Sequence, residues 1–404
     1  MNVTLLGNYS HDGHESMVRY AEMVQGLLAA EGHQVRIIRP WPFFGRLRPS
    51  GQGIGKWLGY LDKYILFPFT LRRYVRRQKA ADPQGTFLIH ICDQANALYT
   101  RWLQDVPHLV TCHDVMAIQI ARGLVPGLTT GRTGRLLQDW ILSGLKNAAY
   151  VVCDTPETRT DLLALVPELE SRSRTLELPL NYPYAPMPVA QARAELSGLD
   201  ATFQPEKDRF LFHVGGNQWY KNREGVILVY AQFCASYPDW LRQHPLKLVL
   251  AGKPPTEAML RLVTEKGLAG NVIFVTAVSN QQLCAFYTLA EALVYPSLKE
   301  GFGWPLVEAQ ACACPVVTSN RPPMHRLAGP AGLLAHPEDP AEFAARLFQI
   351  VSETPEMAQN RKAEALRHSA NFDPKIFLQH MMAIYQIALS QKNINIPKFK
   401  VDRV

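Results

Sequence analysis

Strand-like apolar runs alternate with helical stretches along this chain of 404 residues. The run Phe87-Leu-Ile-His-Ile91 is largely apolar on both faces, which is typical of a parallel strand covered by helices on either side. Alternation of this kind predicts an α/β fold with a doubly wound parallel sheet. Four prolines between Pro179 and Pro188 interrupt the alternation, which restarts at Phe210. We therefore predict two α/β domains of ordinary size.

Each half has its own set of predicted elements. In the first half, the predicted strands are Asn2–Leu6, Gln34–Ile38, Thr86–Ile91, Leu109–Cys112 and Tyr150–Cys153, and the predicted helices are Glu15–Glu31, Gly55–Lys79 and Leu136–Lys146. In the second half, the predicted strands are Phe210–Val214, Leu246–Ala251, Val272–Val275, Leu293–Tyr295 and Val316–Thr318, and the predicted helices are Arg223–Ser236, Gln281–Leu289, Pro340–Ser352 and Pro374–Leu389.

The composition argues against a disordered chain and against a membrane-spanning one. Hydrophobic residues make up 47% and charged residues 19%, and no uninterrupted apolar run approaches the roughly 20 residues of a spanning helix. The chain begins with a short predicted strand, so we expect no secretory signal. Its 7 cysteines lie mostly in apolar runs, which favours reduced, buried thiols in a cytoplasmic protein. Cys312-x-Cys314 lacks a second pair at zinc spacing, and no metal site is predicted.

Positive charge is concentrated between Trp41 and Lys79. This segment has nine Lys and Arg residues against a single acid, Asp62, and it also contains nine aromatic residues. Basic residues interleaved with aromatic ones suit a peripheral contact with an anionic membrane or a phosphate-bearing acceptor, and we expect no nucleic-acid partner. The alternative is that the aromatic residues form core while the basic residues form a solvated helix face.

A glycine-rich segment between two glutamates carries the clearest functional signal. Glu300-Gly-Phe-Gly-Trp-Pro-Leu-Val-Glu308 follows a strand-like run, and Pro305 suits the start of a helix. A glycine-rich loop that leads into a helix N-terminus offers amides to an anion such as a diphosphate. The two carboxylates repel phosphate, and hydroxyl groups are their natural partners. A sugar nucleotide has hydroxyl groups on both sides of its diphosphate.

This segment resembles the signature of retaining nucleotide-sugar glycosyltransferases of family 4, which have the GT-B fold. The resemblance implies two Rossmann-like doubly wound domains that face each other across a cleft. Residues 1–182 would bind the acceptor and residues 183–373 the nucleotide sugar. Residues 374–390 would form a helix that crosses back to the first domain, followed by a tail at 391–404.

The resemblance also implies roles for individual residues. Glu300 would contact the donor sugar and Glu308 the ribose hydroxyls. The loop Gly301, Phe302, Gly303 and Trp304 would hold the diphosphate. In His213-Val-Gly-Gly-Asn-Gln-Trp-Tyr-Lys-Asn222, the glycines Gly215 and Gly216 form a turn, and Lys221 would neutralise the diphosphate.

Weaker matches extend the predicted site. His113, in Thr111-Cys-His-Asp-Val115, would reach the transferred sugar, and the stretch around Val278 would hold the base. Gly13 is the expected close-approach residue of a loop that also contains His11 and His14.

Two positions depart from the family pattern. Many relatives have an arginine where this chain has Gly216 and Asn217, and Arg223 is a candidate replacement. A glutamate is common where this chain has Arg326.

These observations predict a retaining hexosyltransferase that moves a hexose from a nucleotide-diphosphate sugar to the hydroxyl of a glycan or lipid-linked saccharide. We expect no cofactor and no metal, because loop amides, the helix dipole and Lys221 would replace a cation. UDP and GDP donors are not distinguished, and no oligomeric state is predicted. An inactive GT-B scaffold or binding protein and a nucleotide-sugar epimerase are the alternatives.

Overall fold

A computed structural model describes residues 1–13, 15–47, 53–82 and 85–390, except for the side chain of Ile54. The chain forms two compact units. One contains Met1–Asn181 and the chain from Pro374 onward, and the other contains Tyr182–Asp373. The change of unit falls inside the proline-rich stretch, one residue before the predicted boundary. The predicted tail, 391–404, and His14 lie outside the described residues.

The first unit is built on a six-stranded parallel sheet with the order β2-β1-β3-β4-β5-β6. Its strands are Asn2–Leu6 (β1), Gln34–Ile38 (β2), Phe87–Ile91 (β3), His108–Cys112 (β4), Tyr150–Cys153 (β5) and Ser173–Thr175 (β6). Strands β3, β4 and β5 are buried along their whole length, as the apolar runs on both faces predict. In register, Cys112 of β4 pairs with Cys153 of β5, so the residues that follow these strands lie next to each other.

Helices cover this sheet. They are Glu15–Ala30 (α1), Gly53–Leu61 (α2), Phe67–Ala81 (α3), Met116–Ala121 (α4), Arg132–Lys146 (α5), Pro156–Leu165 (α6) and Pro374–Ser390 (α16). A π-helix, Asp62–Leu66, joins α2 to α3, and short 3₁₀ helices occupy Ser10–Asp12, Gly45–Leu47, Gln94–Trp102 and Pro167–Arg172. Helix α16 packs on α1, β3 and β4, so the last described helix completes the unit with which the chain begins.

The second unit is built on a six-stranded parallel sheet with the order β12-β11-β10-β7-β8-β9. Its strands are Arg209–Gly215 (β7), Leu246–Gly252 (β8), Val272–Thr276 (β9), Ala292–Tyr295 (β10), Val316–Ser319 (β11) and Leu333–Ala335 (β12). Strand β7 lies in the middle of the sheet, between β8 and β10. The loops that follow β7 and β10 therefore leave the same sheet edge side by side, which is where open α/β sheets bind ligands.

The helices of the second unit are short to medium in length. They are Val189–Leu196 (α7), Arg223–Ser236 (α8), Pro238–Gln243 (α9), Glu257–Glu265 (α10), Asn280–Leu289 (α11), Trp304–Ala311 (α12), Met324–Leu327 (α13), Pro340–Val351 (α14) and Pro355–Ser369 (α15), with 3₁₀ helices at Trp219–Lys221 and Ala370–Phe372. Helix α11 begins with a capping box between Ser279 and Gln282. Its Phe286 stacks on Phe212 of β7 with ring centroids 4.8 Å apart, which fixes the helix on the sheet.

The prediction of two α/β halves with parallel sheets is confirmed, and every predicted strand is present. Strands β6 and β12 were not predicted because each has only three residues, too few for a recognisable strand pattern. Helix α15 was also missed, because its sequence is polar and only Ala365 and Ser369 are buried. Helix α5 begins four residues before the predicted Leu136, with a first turn that carries no apolar pattern. In helix α12, Pro305 is the second residue and not the predicted first.

One glycine contact fixes the edge at which β7 and β8 end. Gly252 has φ of 129°, and a Cβ built on it would overlap the carbonyl oxygen of Gly215, its partner in register. We expect Gly252→Ala to lower the free energy of unfolding by about 3 kcal/mol, through steric overlap and backbone strain together. Urea unfolding of the purified protein measures this change.

Gly270→Ala is the matched control, because Gly270 also has a positive φ, of 80°, but no atom within 4 Å of an added Cβ. Its loss of unfolding free energy, about 1–2 kcal/mol, comes from the left-handed backbone conformation alone. Equal losses in the two variants would contradict the close approach of Gly215 and Gly252.

Candidate functional site

Lys221 and Glu300 meet where β7 and β10 end. The ammonium Nζ of Lys221 lies 2.7 Å from Oε2 and 2.9 Å from Oε1 of Glu300. The Tyr295 hydroxyl donates to Glu300 Oε1 at 2.8 Å and accepts from Lys221 at 3.2 Å. Burial and the neighbouring carboxylate raise the pKa of Tyr295 well above its usual value. The three side chains form a triangle that fixes the position of the lysine charge.

Backbone contacts explain why two residues 79 positions apart come together. The amide of Leu298 donates to the carbonyl of Tyr220 at 2.7 Å. Asn222, in the left-handed conformation with φ of 52°, donates from Nδ2 to the carbonyl of Pro296 at 2.9 Å. The loop after β10 is therefore fastened to the 3₁₀ turn that carries Lys221, and the ion pair follows from that attachment.

His213 packs beneath this cluster, inside the sheet. Its Nδ1 donates to the carbonyl of Val294 at 2.9 Å, and burial lowers the pKa of the ring to about 3, so the imidazole is neutral. Its Nε2 lies 3.2 Å from where a Cβ on Gly215 would be. The predicted turn residue Gly215 thus leaves room for the histidine ring as well as for the close approach of Gly252.

The predicted phosphate loop leads into helix α12. Gly303 precedes the helix with φ of 120°, a conformation that L side chains rarely adopt. Phe302 is buried, and its ring contacts Phe372 edge-on with centroids 6.0 Å apart. Trp304 is buried at the first helical position, and Gly301 lies half-buried between Glu300 and Phe302. The packed rings hold the loop against the helix N-terminus, where the dipole favours an anion.

Glu308 lies one turn inside helix α12 and is buried. Its Oε2 accepts a hydrogen bond of 2.9 Å from the Tyr287 hydroxyl of α11. Burial and this carboxylate raise the pKa of Tyr287 well above its usual value. With Glu300 also buried, neither glutamate of the signature is a solvated surface residue. The structure places the two carboxylates in separate hydrogen-bonded settings.

Arg223 is a second buried cation near the glycine turn. Its guanidinium donates to Oδ1 of Asn217 and, at 2.8 Å, to the carbonyl of Lys253. Burial lowers its pKa to about 10. Its Nε and Nη2 have no hydrogen-bond partner among the described residues. Asn217, one of the two positions where an arginine was expected, therefore anchors Arg223.

Two other predicted positions of this unit lie in loops. Gly216 follows the last residue of β7, and Val278 is half-buried between β9 and the Ser279 cap of α11. No contact in the structure assigns either residue to a ligand, so their roles remain predictions.

His113 of the first unit is buried beside Asp154. Its Nδ1 lies 2.5 Å from Oδ2 of Asp154, and its Nε2 lies 2.8 Å from the carbonyl oxygen of Cys92. Burial alone would lower the pKa of the imidazole, but Asp154 outweighs it and raises that pKa to about 9. His113 is therefore an imidazolium at neutral pH, and both its N–H groups already donate within the unit. A contact with a sugar would require the bond to Cys92 to break.

A buried chain of polar groups runs behind His113. The Tyr20 hydroxyl lies 2.9 Å from Thr111 Oγ1, which lies 2.7 Å from Nε2 of His90. Nδ1 of His90 lies 2.8 Å from the Tyr385 hydroxyl of helix α16. Burial lowers the pKa of His90 to about 3, so this histidine is neutral. This series of hydrogen bonds connects helix α16 to strands β3 and β4 next to His113.

Gly13 ends the 3₁₀ turn after β1. It is exposed, its φ is 68°, and no protein atom lies within 4 Å of an added Cβ. The turn is held by Asp12, whose carboxylate accepts two bonds of 2.9 Å from Lys63, and by the aromatic contact of Tyr9 with His11. Gly13 is thus required by its backbone conformation, and its approach to a ligand remains a prediction.

Of the predicted site residues, the structure pairs Lys221 with Glu300 directly. Their hydrogen-bond partners were not predicted from the sequence. Tyr295 bonds to Lys221 and Glu300, Tyr287 to Glu308, and Asp154 to His113. Asp154 could have been found as a candidate, because it directly follows a predicted strand just as His113 does; the structure shows that these two strands are paired. Nothing near Tyr287 in the sequence marks it as the partner of a residue 21 positions away. Among the described residues, no group of three or more His, Cys, Asp or Glu side chains is placed to hold a metal ion.

Comparison with known proteins places this geometry in a family context. Residues 200–368 match the family described as Glycosyl transferases group 1. Over 221 residues the chain is 25% identical to the O-antigen chain mannosyltransferase B of Escherichia coli, a match that covers 54% of this chain and 56% of that protein. The chain spans about half the length of the curated relatives it matches.

Solved structures show the same fold. A sucrose-phosphate synthase from Thermosynechococcus elongatus superposes with a TM-score of 0.70 at 20% identity, covering 96% of this chain and 100% of that one. A structure of Anabaena HepE in complex with UDP and glucose superposes with a TM-score of 0.66 at 17% identity, covering 96% and 99% of the two chains.

The charge of His113 gives the first unit a pH-dependent stability. The pKa of this histidine rises from its ordinary value near 6.5 to about 9 on folding. The stabilisation is therefore complete below pH 6.5 and is lost as the pH rises through about 9. We expect Asp154→Asn to lower the free energy of unfolding by about 2 kcal/mol at pH 6 and by much less at pH 9.5.

Urea titrations at the two pH values measure this difference, with the exposed Asp105→Asn as the charge-matched control. If the free energies of unfolding of wild type and Asp154→Asn differ by the same amount at both pH values, the assigned charge on His113 is contradicted.

Proposed function

We propose that this chain transfers a hexose from a nucleotide-diphosphate sugar to an acceptor hydroxyl with retention of configuration. The match of residues 200–368 to the group 1 glycosyl transferases and the fold shared with the solved structures support this proposal. The observation that carries this proposal is the Lys221–Glu300 pair beside the glycine-rich loop at the start of α12. A fixed cation and a helix N-terminus next to buried carboxylates suit a ligand that has both phosphates and hydroxyl groups.

Lys221 is the proposed electrostatic catalyst. Negative charge grows on the departing diphosphate in the transition state, and a cation held in place beforehand stabilises it without reorganisation. Glu300 and Tyr295 hold the ammonium through bonds of 2.7–3.2 Å. A bound diphosphate would share the ammonium with Glu300, which leaves a carboxylate oxygen to accept from a sugar hydroxyl. The amides of Gly301, Phe302 and Gly303 are the proposed further donors to phosphate.

Glu308 is the proposed ribose ligand. A buried carboxylate accepts hydrogen bonds from hydroxyl groups strongly, because water does not compete for it. Tyr287 occupies Oε2, so a ribose would share this carboxylate with the tyrosine. The base is proposed to lie against the loop at Val278. Because the HepE structure contains UDP and glucose, UDP is the first nucleotide to test.

In the proposed reaction, the bond between the anomeric carbon and the phosphate oxygen breaks while the acceptor oxygen bonds to the same face of that carbon. The acceptor proton passes to the leaving phosphate oxygen, so no protein nucleophile is needed. Lys221 and the helix dipole take the place of a divalent cation. The acceptor is proposed to be a glycan or a lipid-linked saccharide.

Donor binding tests the site. We expect calorimetry with UDP, GDP, ADP, UDP-glucose and GDP-mannose, without metal, to show binding of one nucleotide class. Glu308→Gln keeps the shape of the side chain but removes its charge, and it should weaken that binding about 10–100-fold. The matched control is the exposed Glu265→Gln. Unchanged affinity in Glu308→Gln would refute the ribose assignment.

Turnover tests the role of the lysine. We expect Lys221→Met to lower kcat for nucleotide release by about 10²-fold with a smaller change in KM, measured in excess EDTA with the donor that binds and a panel of saccharide acceptors. The double variant Lys221→Met/Glu300→Gln removes the unpaired buried carboxylate, and it should remain slow. The exposed Lys266→Met is the control.

Three results would point elsewhere. Donor binding without turnover would favour an inactive scaffold, and conversion of the donor sugar without any acceptor would favour an epimerase. Recovery of full activity only with magnesium or manganese would overturn the metal-independent mechanism.

A further inference from the structure

Exposed apolar side chains are concentrated in one part of the first unit. Of the eighteen large hydrophobic residues that are exposed in the described part of the chain, eight lie between Trp41 and Phe69. The others are scattered over both units. A concentration of this kind marks an interaction surface more often than a solvated one. The sequence left open whether these aromatic residues are core, and the structure shows that only part of them are.

Four of these residues form a stripe along one continuous helical run. Trp57, Leu61, Ile65 and Phe69 are 58%, 38%, 51% and 67% exposed, and they recur at every fourth position through α2, the π-helix and α3. Residues four apart lie on the same helix face. The opposite face, with Phe67, Leu71 and Val75, packs into the hydrophobic core. The run therefore has two apolar faces, and only one of them has a partner among the residues that the structure describes.

Positive charge continues this stripe. Arg72, Arg73, Arg76 and Arg77 are exposed on the part of α3 that follows Phe69. The only acid of the segment 41–79, Asp62, is buried. It accepts hydrogen bonds from the Tyr9 hydroxyl at 2.9 Å and from the Gly45 amide at 2.9 Å, so it adds no negative charge to the surface.

The same buried aspartate attaches a second set of apolar residues to the helix. Its Oδ1 accepts from the Phe44 amide at 3.0 Å, and the turn Gly45–Leu47 packs on α2. Trp41, Phe43 and Leu47 in this stretch are all more than 60% exposed, and the guanidinium of Arg46 lies 4.4 Å from the Trp41 ring. The turn therefore places further exposed tryptophan, phenylalanine, leucine and arginine side chains next to the helical run. The stripe, these residues and the arginines of α3 are called the patch below.

We propose that this patch docks the protein on the surface of an anionic lipid bilayer. Amphipathic helices with Trp and Phe on one face and Arg beside them lie in the membrane interface, where the apolar residues enter the acyl boundary and the cations meet lipid phosphates. No helix among the described residues is long and apolar enough to cross a bilayer. The proposed contact is a peripheral one, made by the side chains of the patch.

The charge of the patch argues for this occupant over a second copy of the chain. Two copies docked through the patch would bring two segments of net charge near +8 together, which is unfavourable. A nucleic acid would match the charge but would leave Leu61 and Ile65 of the stripe without an apolar partner. An anionic bilayer satisfies both the stripe and the arginines. Docking itself does not rest on the proposed function. Only its consequence does, namely that the acceptor is lipid-linked.

Vesicle flotation of the full chain tests the proposal and requires no substrate. The probes are vesicles of phosphatidylcholine alone and of phosphatidylcholine with phosphatidylglycerol. Wild type should float with the anionic vesicles, and far less with the neutral ones or at high salt. The triple variant Trp57→Ser/Ile65→Ser/Phe69→Ser should lower the affinity for anionic vesicles at least about tenfold. Its control places serine at three exposed apolar positions elsewhere in the unit: Leu124, Leu136 and Trp140.

A second variant tests the positive charge of the patch. Replacing the four exposed arginines of α3 by glutamine should also lower the affinity for anionic vesicles at least about tenfold, and it should remove most of the salt dependence of binding. Its control places glutamine at four exposed cations of the second unit: Arg193, Lys207, Arg242 and Lys266. Circular dichroism verifies folding, and the single variants Trp57→Ser and Phe69→Ser replace the triple variant if it does not fold.

Any of three results would overturn the proposal. The first is equal recovery of the protein on neutral and anionic vesicles. The second is flotation of the serine triple variant equal to that of wild type. The third is a dimer in sedimentation that the serine variant abolishes, with no vesicle binding, which would assign the patch to a second copy of the chain. Absence of donor binding in wild type with normal flotation would contradict the proposed function and leave docking intact, so the two proposals fail separately.

Discussion

In each unit, an ion pair joins loops that follow two adjacent parallel strands. His113 and Asp154 follow β4 and β5, while Lys221 and Glu300 lie in the loops after β7 and β10. The carboxyl ends of parallel strands lie at the same edge of the sheet. Because the strands themselves are apolar and buried, polar side chains lie in the loops at that edge. A buried pair adds little net stability, because desolvation offsets the attraction. What it provides is a fixed position for each charge, and the proposed chemistry of the second unit relies on that position.

The regular parts of both sheets could be predicted because their strands are continuous apolar runs. The glycine-rich loop before α12 could be predicted because backbone geometry constrains its residues, with Gly303 at a φ of 120° and Pro305 in the first turn of the helix. The hydrogen-bond partners of Glu300 and Glu308 could not be predicted, since Tyr295 and Tyr287 look like ordinary core tyrosines in the sequence. Their hydroxyl groups acquire a role only when packing brings a carboxylate to them. The same limit applies to His113, whose two N–H groups are occupied by groups that only the fold supplies.

The two departures from the family pattern have different structural settings. At the glycine turn, Asn217 is bonded to the buried Arg223, so a cation is present near the loop although it comes from the next helix. This arrangement keeps positive charge beside the loop with a different residue order. Arg326 lies in the short helix α13, which packs against α12, and the carbonyl of the adjacent Leu327 accepts a bond of 2.8 Å from Gln310 of α12. The departure at Arg326 thus falls on an element that packs against the helix following the glycine-rich loop.

The bond between His90 and Tyr385 joins residues 295 positions apart, and the entire second unit is made between them. During synthesis, β3 is complete long before helix α16 exists. Until then the imidazole of His90 lacks its tyrosine partner, and the sheet face that α16 covers stays open to water. The second unit, whose residues are contiguous, can close first, which reverses the usual N-to-C order of domain folding. The first unit to begin is the last to be completed, and it depends on the arrival of the C-terminal helix.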